Sequence, residues 1–137
     1  MLTIPTVTLN DGAPFPELGL GTYNLRGAEG VASVVAAIHA GYRLLDSAVN
    51  YENEREVVRT SGVDRGELLV TTKIPGRDHG YDEAIRSTNN SLAVTGLDYL
   101  DLSLIHWPNP SVDKYVDTWR AMIELREQHL VRSIGVS

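Results

Sequence analysis

The chain has 137 residues, 42% of them apolar and 22% charged, with a formal net charge of −6 and no cysteine. This balance describes one globular domain, and the acidic surplus without any basic block excludes nucleic acid and anionic membrane surfaces as default partners. The lack of cysteine excludes disulfides, thiolate metal sites and a cysteine nucleophile; with no signal-like start and no apolar run of membrane-spanning length, the expectation is a cytoplasmic protein.

In chain order, "TVTLNDGAPFPELGLGTY" opens with alternating Val7 and Leu9, the turn signal Asn10-Asp11-Gly12 and a short apolar run from Leu18 to Gly21. It predicts a hairpin and then a strand. From Ala28, the positions Val31, Val34, Val35 and Ile38 follow helical spacing, and Gly41 supplies the stop. "YRLLDSA" then reads as a strand, "NEREVVRTSG" as a short helix ending at Gly62, and Glu67 to Ile74 as a strand. A helix is expected from Asp82 to about Val94, although Asn89, Asn90 and Ser91 are weak formers. "YLDLSLIHWP" is a strand stopped by Pro108. Ser111 to His129 is a helix with Val116, Trp119, Met122 and Ile123 on one face, and "RSIGVS" is the last strand.

Strands alternating with amphipathic helices imply right-handed crossovers and a parallel sheet, either doubly wound or a TIM barrel. The strand ends favour the barrel, whose sites form at the C-terminal ends of its strands. The successive ends are Gly21-Thr22-Tyr23, Asp46, Lys73, His106 and Ser137.

Taken singly, Asp46 reads as a turn residue, Tyr51 as a rim aromatic and Lys73 as a solvated charge. As a set they have a chemical logic. A tyrosine is a poor acid near neutrality, and a lysine cation beside Tyr51 favours the phenolate. Asp46 offsets the charge of Lys73, and a neutral His106 can hydrogen-bond a carbonyl oxygen. None of the four supplies a hydride, so a cofactor is implied and the chemistry fits carbonyl reduction. His39, His79 and His129 have no evident partners, and no metal-ligand spacing occurs. "GLG" at 19 to 21 lacks the third glycine of a dinucleotide fingerprint. Trp119 and Met122 read as core, and Glu52, Glu54 and Glu56 as helix-start charges.

"LGLGTYN", "GYRLLDSAVNYENE", "TTKI", "LIHWP" and "RSIGVS" together resemble the aldo-keto reductases, and "HWPNP" is most similar to the bacterial branch that includes diketogluconate reductases. The resemblance implies a (β/α)8 TIM barrel plugged by the N-terminal hairpin, of which five strands and four helices are expected here. It implies NADPH-dependent reduction of aldehydes and ketones to alcohols, with small-molecule carbonyl substrates. Residue by residue, it implies Tyr51 as general acid, Lys73 and Asp46 as the pair tuning it, and His106 as the carbonyl-orienting histidine. Gly21, Thr22 and Asp46 match positions against the nicotinamide ribose, Ser137 the start of the carboxamide contact, and Tyr23 and Trp107 the substrate pocket.

The sequence departs from that pattern in two places. About one helical turn is missing after Val57. A TIM barrel also needs about 250 residues, so residues 1–137 are expected to be the N-terminal part of a single barrel domain. Alone they are expected to hold NADPH poorly and to self-associate through open edges, whereas the full-length protein is expected to be a monomer. Two rival readings are a non-catalytic nucleotide-binding or regulatory module on the same barrel, and an inactive fragment.

Overall fold

The Asn10-Asp11-Gly12 turn forms as the sequence predicts. Asp11 Oδ1 accepts the Ala13 amide at 3.0 Å, Gly12 takes φ 87°, and Leu9 and Ala13 close the loop at 2.8 Å. It joins β1 (Thr6–Thr8) to β2 (Pro14–Pro16) in an antiparallel hairpin that sets Val7 opposite Phe15. The structure, a computed structural model, describes residues 3–53 and 62–137.

β3 (Leu20–Gly21), β4 (Leu44–Asp46), β5 (Leu69–Ile74), β6 (Leu100–Ile105) and β7 (Val131–Val136) pair in parallel and in chain order. A doubly wound sheet would reverse its strand order at some point. The unbroken order is that of part of a (β/α)8 barrel. Between the strands run α1 (Gly27–Ala40), α2 (Tyr81–Thr95) and α3 (Tyr115–Glu127). The short helix expected over 53–62 and the turn missing after Val57 lie outside the described residues.

Gly41 ends α1 in the left-handed region at φ 113°, with its amide on Ile38 O at 3.0 Å and that of Tyr42 on Ala37 O at 3.0 Å. α2 forms despite its weak formers, of which Asn89 and Asn90 are exposed and Ser91 is buried, because its inner face packs. Ser87, Thr88, Ser91 and Thr95 face inward with Ala84 and Leu92, and Thr95 Oγ1 donates back to Ser91 O at 2.7 Å. The third helix corrects the sequence reading twice. It starts at Tyr115 rather than Ser111, because Asn109 and Asp113 take positive φ, 45° and 55°, and hold residues 109–114 in turns. Its buried face is Thr118, Ala121, Met122 and Leu125, while Val116 and Ile123 are exposed.

The main core sits between helices and sheet. Val34 and Ile38 of α1, Leu92 of α2 and Leu125 of α3 pack on Leu45, Val70, Leu100 and Val131. On the other side of the sheet, Phe15 of the hairpin lines a cavity of about 340 Å³ with Gly19, Leu44, Leu102 and Leu104. The hairpin is fixed there by Ser133 Oγ, which donates to Asp11 Oδ2 at 2.6 Å. At the N-terminal ends of the strands, Asp101 binds Arg65 at 2.7 Å, Arg132 at 3.4 Å and the Val70 amide at 2.8 Å. Both guanidiniums lie 4.0 Å from the Tyr99 ring centroid.

Candidate active site

At the opposite end of the sheet the backbone ladder continues one step past the strands. The amides of Thr22, Ser47, His106 and Ser137 donate to Asp46 O, Thr71 O, Ile74 O and Ile105 O at 2.9 to 3.0 Å. The first polar residues after successive strands therefore stand along one rim. Register sets the deeper pair: Asp46 is opposite Thr71, and Lys73 lies two residues further along β5 on the same face. Lys73 Nζ reaches Asp46 Oδ1 at 2.8 Å and Ser47 O at 2.9 Å. The lysine side chain is 8% exposed, the aspartate 42%. The ammonium is buried and the carboxylate remains open to the rim.

Tyr51 ends a 3-10 turn, Val49–Tyr51, closed by Glu52 at φ 56°. Its ring lies 5.2 Å from Lys73 Nζ, 6.2 Å from His106 at an 85° angle, and 5.3 Å from Tyr23 at 64°. His106 in turn stacks on Trp107, 6.0 Å away and 9° from parallel. Burial holds the His106 pKa below its ordinary 6.5, and the Lys73 charge and His79 add to the effect against the opposing pull of Asp46. The imidazole is therefore neutral at pH 7. Its Nδ1 is buried without a hydrogen bond.

All of the residues predicted from the sequence lie along this rim. Asp46, Lys73, Tyr51, His106, Tyr23 and Trp107 form one continuous set of contacts. Gly21 pairs with Asp46 across the β3–β4 register, and Ser137 follows β7. Thr22 is different: it is fully buried, with its hydroxyl on Asp46 O at 3.3 Å, its amide on the same oxygen and its carbonyl accepting from Asn53, so it braces the rim from beneath.

The sequence reading passed over several residues that hold the site. Asn53, 1% exposed, donates through Nδ2 to Thr22 O at 2.7 Å and Leu25 O at 2.6 Å, tying the tyrosine turn to the loop after β3. Arg77 donates to Asn50, next to Tyr51. His79 is buried, and burial pushes its pKa below 6.5 against the opposing pull of the Ile74 backbone and Asp78. Nothing in their spacing separates them from ordinary loop residues. Among the described residues no helix is long and apolar enough to cross a membrane, and no group of three His, Asp or Glu could hold a metal ion.

Residues 17–137 match the profile described as "Aldo/keto reductase family". The chain is 67% identical over 140 residues to a Corynebacterium sp. protein named 2,5-diketo-D-gluconic acid reductase B, covering 100% of this chain and 50% of that protein. A Brucella melitensis aldo/keto reductase structure superimposes with TM-score 0.92 at 44% identity, over 98% of this chain and 53% of that one. An aldo-keto reductase of Bombyx mori, solved in complex with NADP, gives 0.88 at 36% identity, over 99% and 51%. The chain spans about half the length of the curated relatives it matches.

Proposed function

The chain belongs to the aldo/keto reductase family, and on that basis we propose that it carries the catalytic residues of an NADPH-dependent reductase converting aldehydes and ketones to alcohols. The observation carrying this reading is the buried Lys73 ammonium, paired with Asp46 at 2.8 Å and set 5.2 Å from the ring of Tyr51. Tyr51 is the general acid and gives its hydroxyl proton to the carbonyl oxygen. As it does so, negative charge develops on the phenolic oxygen, and the Lys73 cation stabilises it in a site that water only partly reaches. Asp46 keeps that cation in place and compensates its burial. His106, neutral because its pKa lies below 6.5, hydrogen-bonds the same carbonyl oxygen and orients it. Tyr23 and Trp107, both largely exposed, wall the substrate.

When bound, NADPH supplies the hydride. The residues present suit its nicotinamide riboside end. A Cβ built on Gly21 would meet nothing within 4 Å, so the backbone there is open to a flat ring. Asp46 engages Lys73 through Oδ1, leaving its second oxygen for a ribose hydroxyl. Thr22 supports Asp46 from beneath, and Ser137 follows β7 on the same rim.

The test, made on the full-length protein, is NADPH oxidation dependent on an added aldehyde, followed for the wild type and Tyr51→Phe, with NADPH binding measured in parallel. Turnover that disappears in Tyr51→Phe while binding persists is the expected result. Tight NADPH binding with no turnover of any aldehyde would overturn it in favour of a nucleotide-binding module.

A further inference from the structure

Between β5, which carries Lys73, and α2, residues 75–80 are braced on both sides. On one side Arg77 Nη1 donates to Asn50 Oδ1, and Asn50 directly precedes Tyr51. On the other, Gly76 lies against the loop after Trp107: a Cβ there would fall 2.0 Å from Asn109 Nδ2. The Arg77 guanidinium is thus tied to the acid-bearing turn, on a segment whose preceding residue packs against the loop after Trp107. It is exposed.

Among the described residues its charge is unmatched. Asn50 is neutral, and among the described residues Arg77 makes no ion pair. Asp46 is engaged by Lys73, and Asp78 accepts from Ser87 Oγ of α2 at 2.8 Å. Glu52 is exposed and forms no bond with Arg77 among the described residues. A guanidinium has five donors in a planar fork suited to a carboxylate or phosphate, and the Asn50 bond occupies one. On a chain of net charge −6, an anionic substrate is repelled overall, so a local cation beside the acid-bearing turn is what would admit it.

We propose that Arg77 selects carbonyl substrates bearing a second, anionic group, a carboxylate or phosphate, which it binds through the free edge of its fork while the carbonyl faces Tyr51. Asn50 holds the fork at the correct distance from the acid. This rests on the reductase reading and adds the substrate's charge and the residue that reads it. The Corynebacterium relative's name refers to a sugar acid, which has this combination of groups.

The experiment compares 4-carboxybenzaldehyde with methyl 4-formylbenzoate, nearly equal in shape and different in charge. Both are tested on the full-length protein for kcat/KM and, without turnover, for binding by tryptophan fluorescence quenching. Wild type should favour the acid. Arg77→Ala should lose about 10- to 100-fold on the acid and leave the ester unchanged, with Arg77→Lys intermediate because it keeps the charge and loses the fork. A merely structural Arg77 would lower both probes together, and that result, or a wild type that does not distinguish them in either readout, overturns the proposal. Should the wild type turn over neither probe, the reductase reading fails by itself, and the acid-to-ester binding ratio in wild type and Arg77→Ala still decides the role of Arg77.

Discussion

Replacing each partner of the Asp46–Lys73 pair separately should cost unequal amounts of stability. At 2.8 Å the two charges attract by about 6 kcal/mol at an effective dielectric near 20, and desolvating the ammonium cancels several kcal/mol of that. Asp46→Asn keeps the shape and leaves the Lys73 ammonium, 8% exposed, with Ser47 O as its acceptor at 2.9 Å. Breaking a fully buried pair this way costs about 3–5 kcal/mol. Here the aspartate side is 42% exposed and water reaches it, so a loss of about 2–3 kcal/mol is expected. Lys73→Met removes the buried charge at similar volume and leaves a carboxylate that water can solvate. Its stability should stay within about 1 kcal/mol of wild type. The assay is urea unfolding followed by tryptophan fluorescence, comparing midpoints at constant slope. A Lys73→Met variant as unstable as Asp46→Asn would refute the reasoning, because the lysine would then be held for the stability of the sheet rather than for proton transfer.

Asn53→Ala removes two hydrogen bonds to carbonyls from a site 1% exposed, and should cost about 2–4 kcal/mol and lower kcat more than it raises KM, measured by unfolding and steady-state kinetics. His79 and His106 both have folded pKa values below 6.5, so below pH 6.5 the unfolded chain takes up protons that the folded one refuses. Stability should be flat above that pH and fall below it by up to about 1.4 kcal/mol per pH unit per histidine; a urea midpoint that rises on acidification between pH 6.5 and 5.5 would contradict this. Asp101→Ala leaves Arg65 and the Val70 amide without their shared acceptor and should cost about 3 kcal/mol, with the unfolding midpoint as the measure and NADPH turnover per folded molecule unchanged.

The strand ends were legible because each apolar run stops at a group that could not continue it: Asp46 after Leu44-Leu45, His106 after Leu104-Ile105. The helical stripe of α1 was equally clear, with Val34 and Ile38 buried as the spacing required. The third helix was misread because half its inward face is Thr118 and Ala121, which do not register as apolar signals, while the exposed Val116 and Ile123 do. The braces were invisible for a different reason. Asn53, Arg77 and His79 depend on which loops the barrel brings together, and no local period encodes that. Asn53 meets Thr22 and Leu25 across about 30 positions of chain.

Asp101, Arg65, Arg132 and Tyr99 close the end of the sheet away from Tyr51, sharing no side chain with the site. Amide exchange should report this as two regimes, with Val70 among the slowest protons to leave and the amides of the tyrosine turn among the fastest. Substitutions at the two ends should then combine additively. A laboratory reshaping the rim for a new substrate could therefore reinforce the far end first, and use that reserve to tolerate changes that would otherwise unfold the chain.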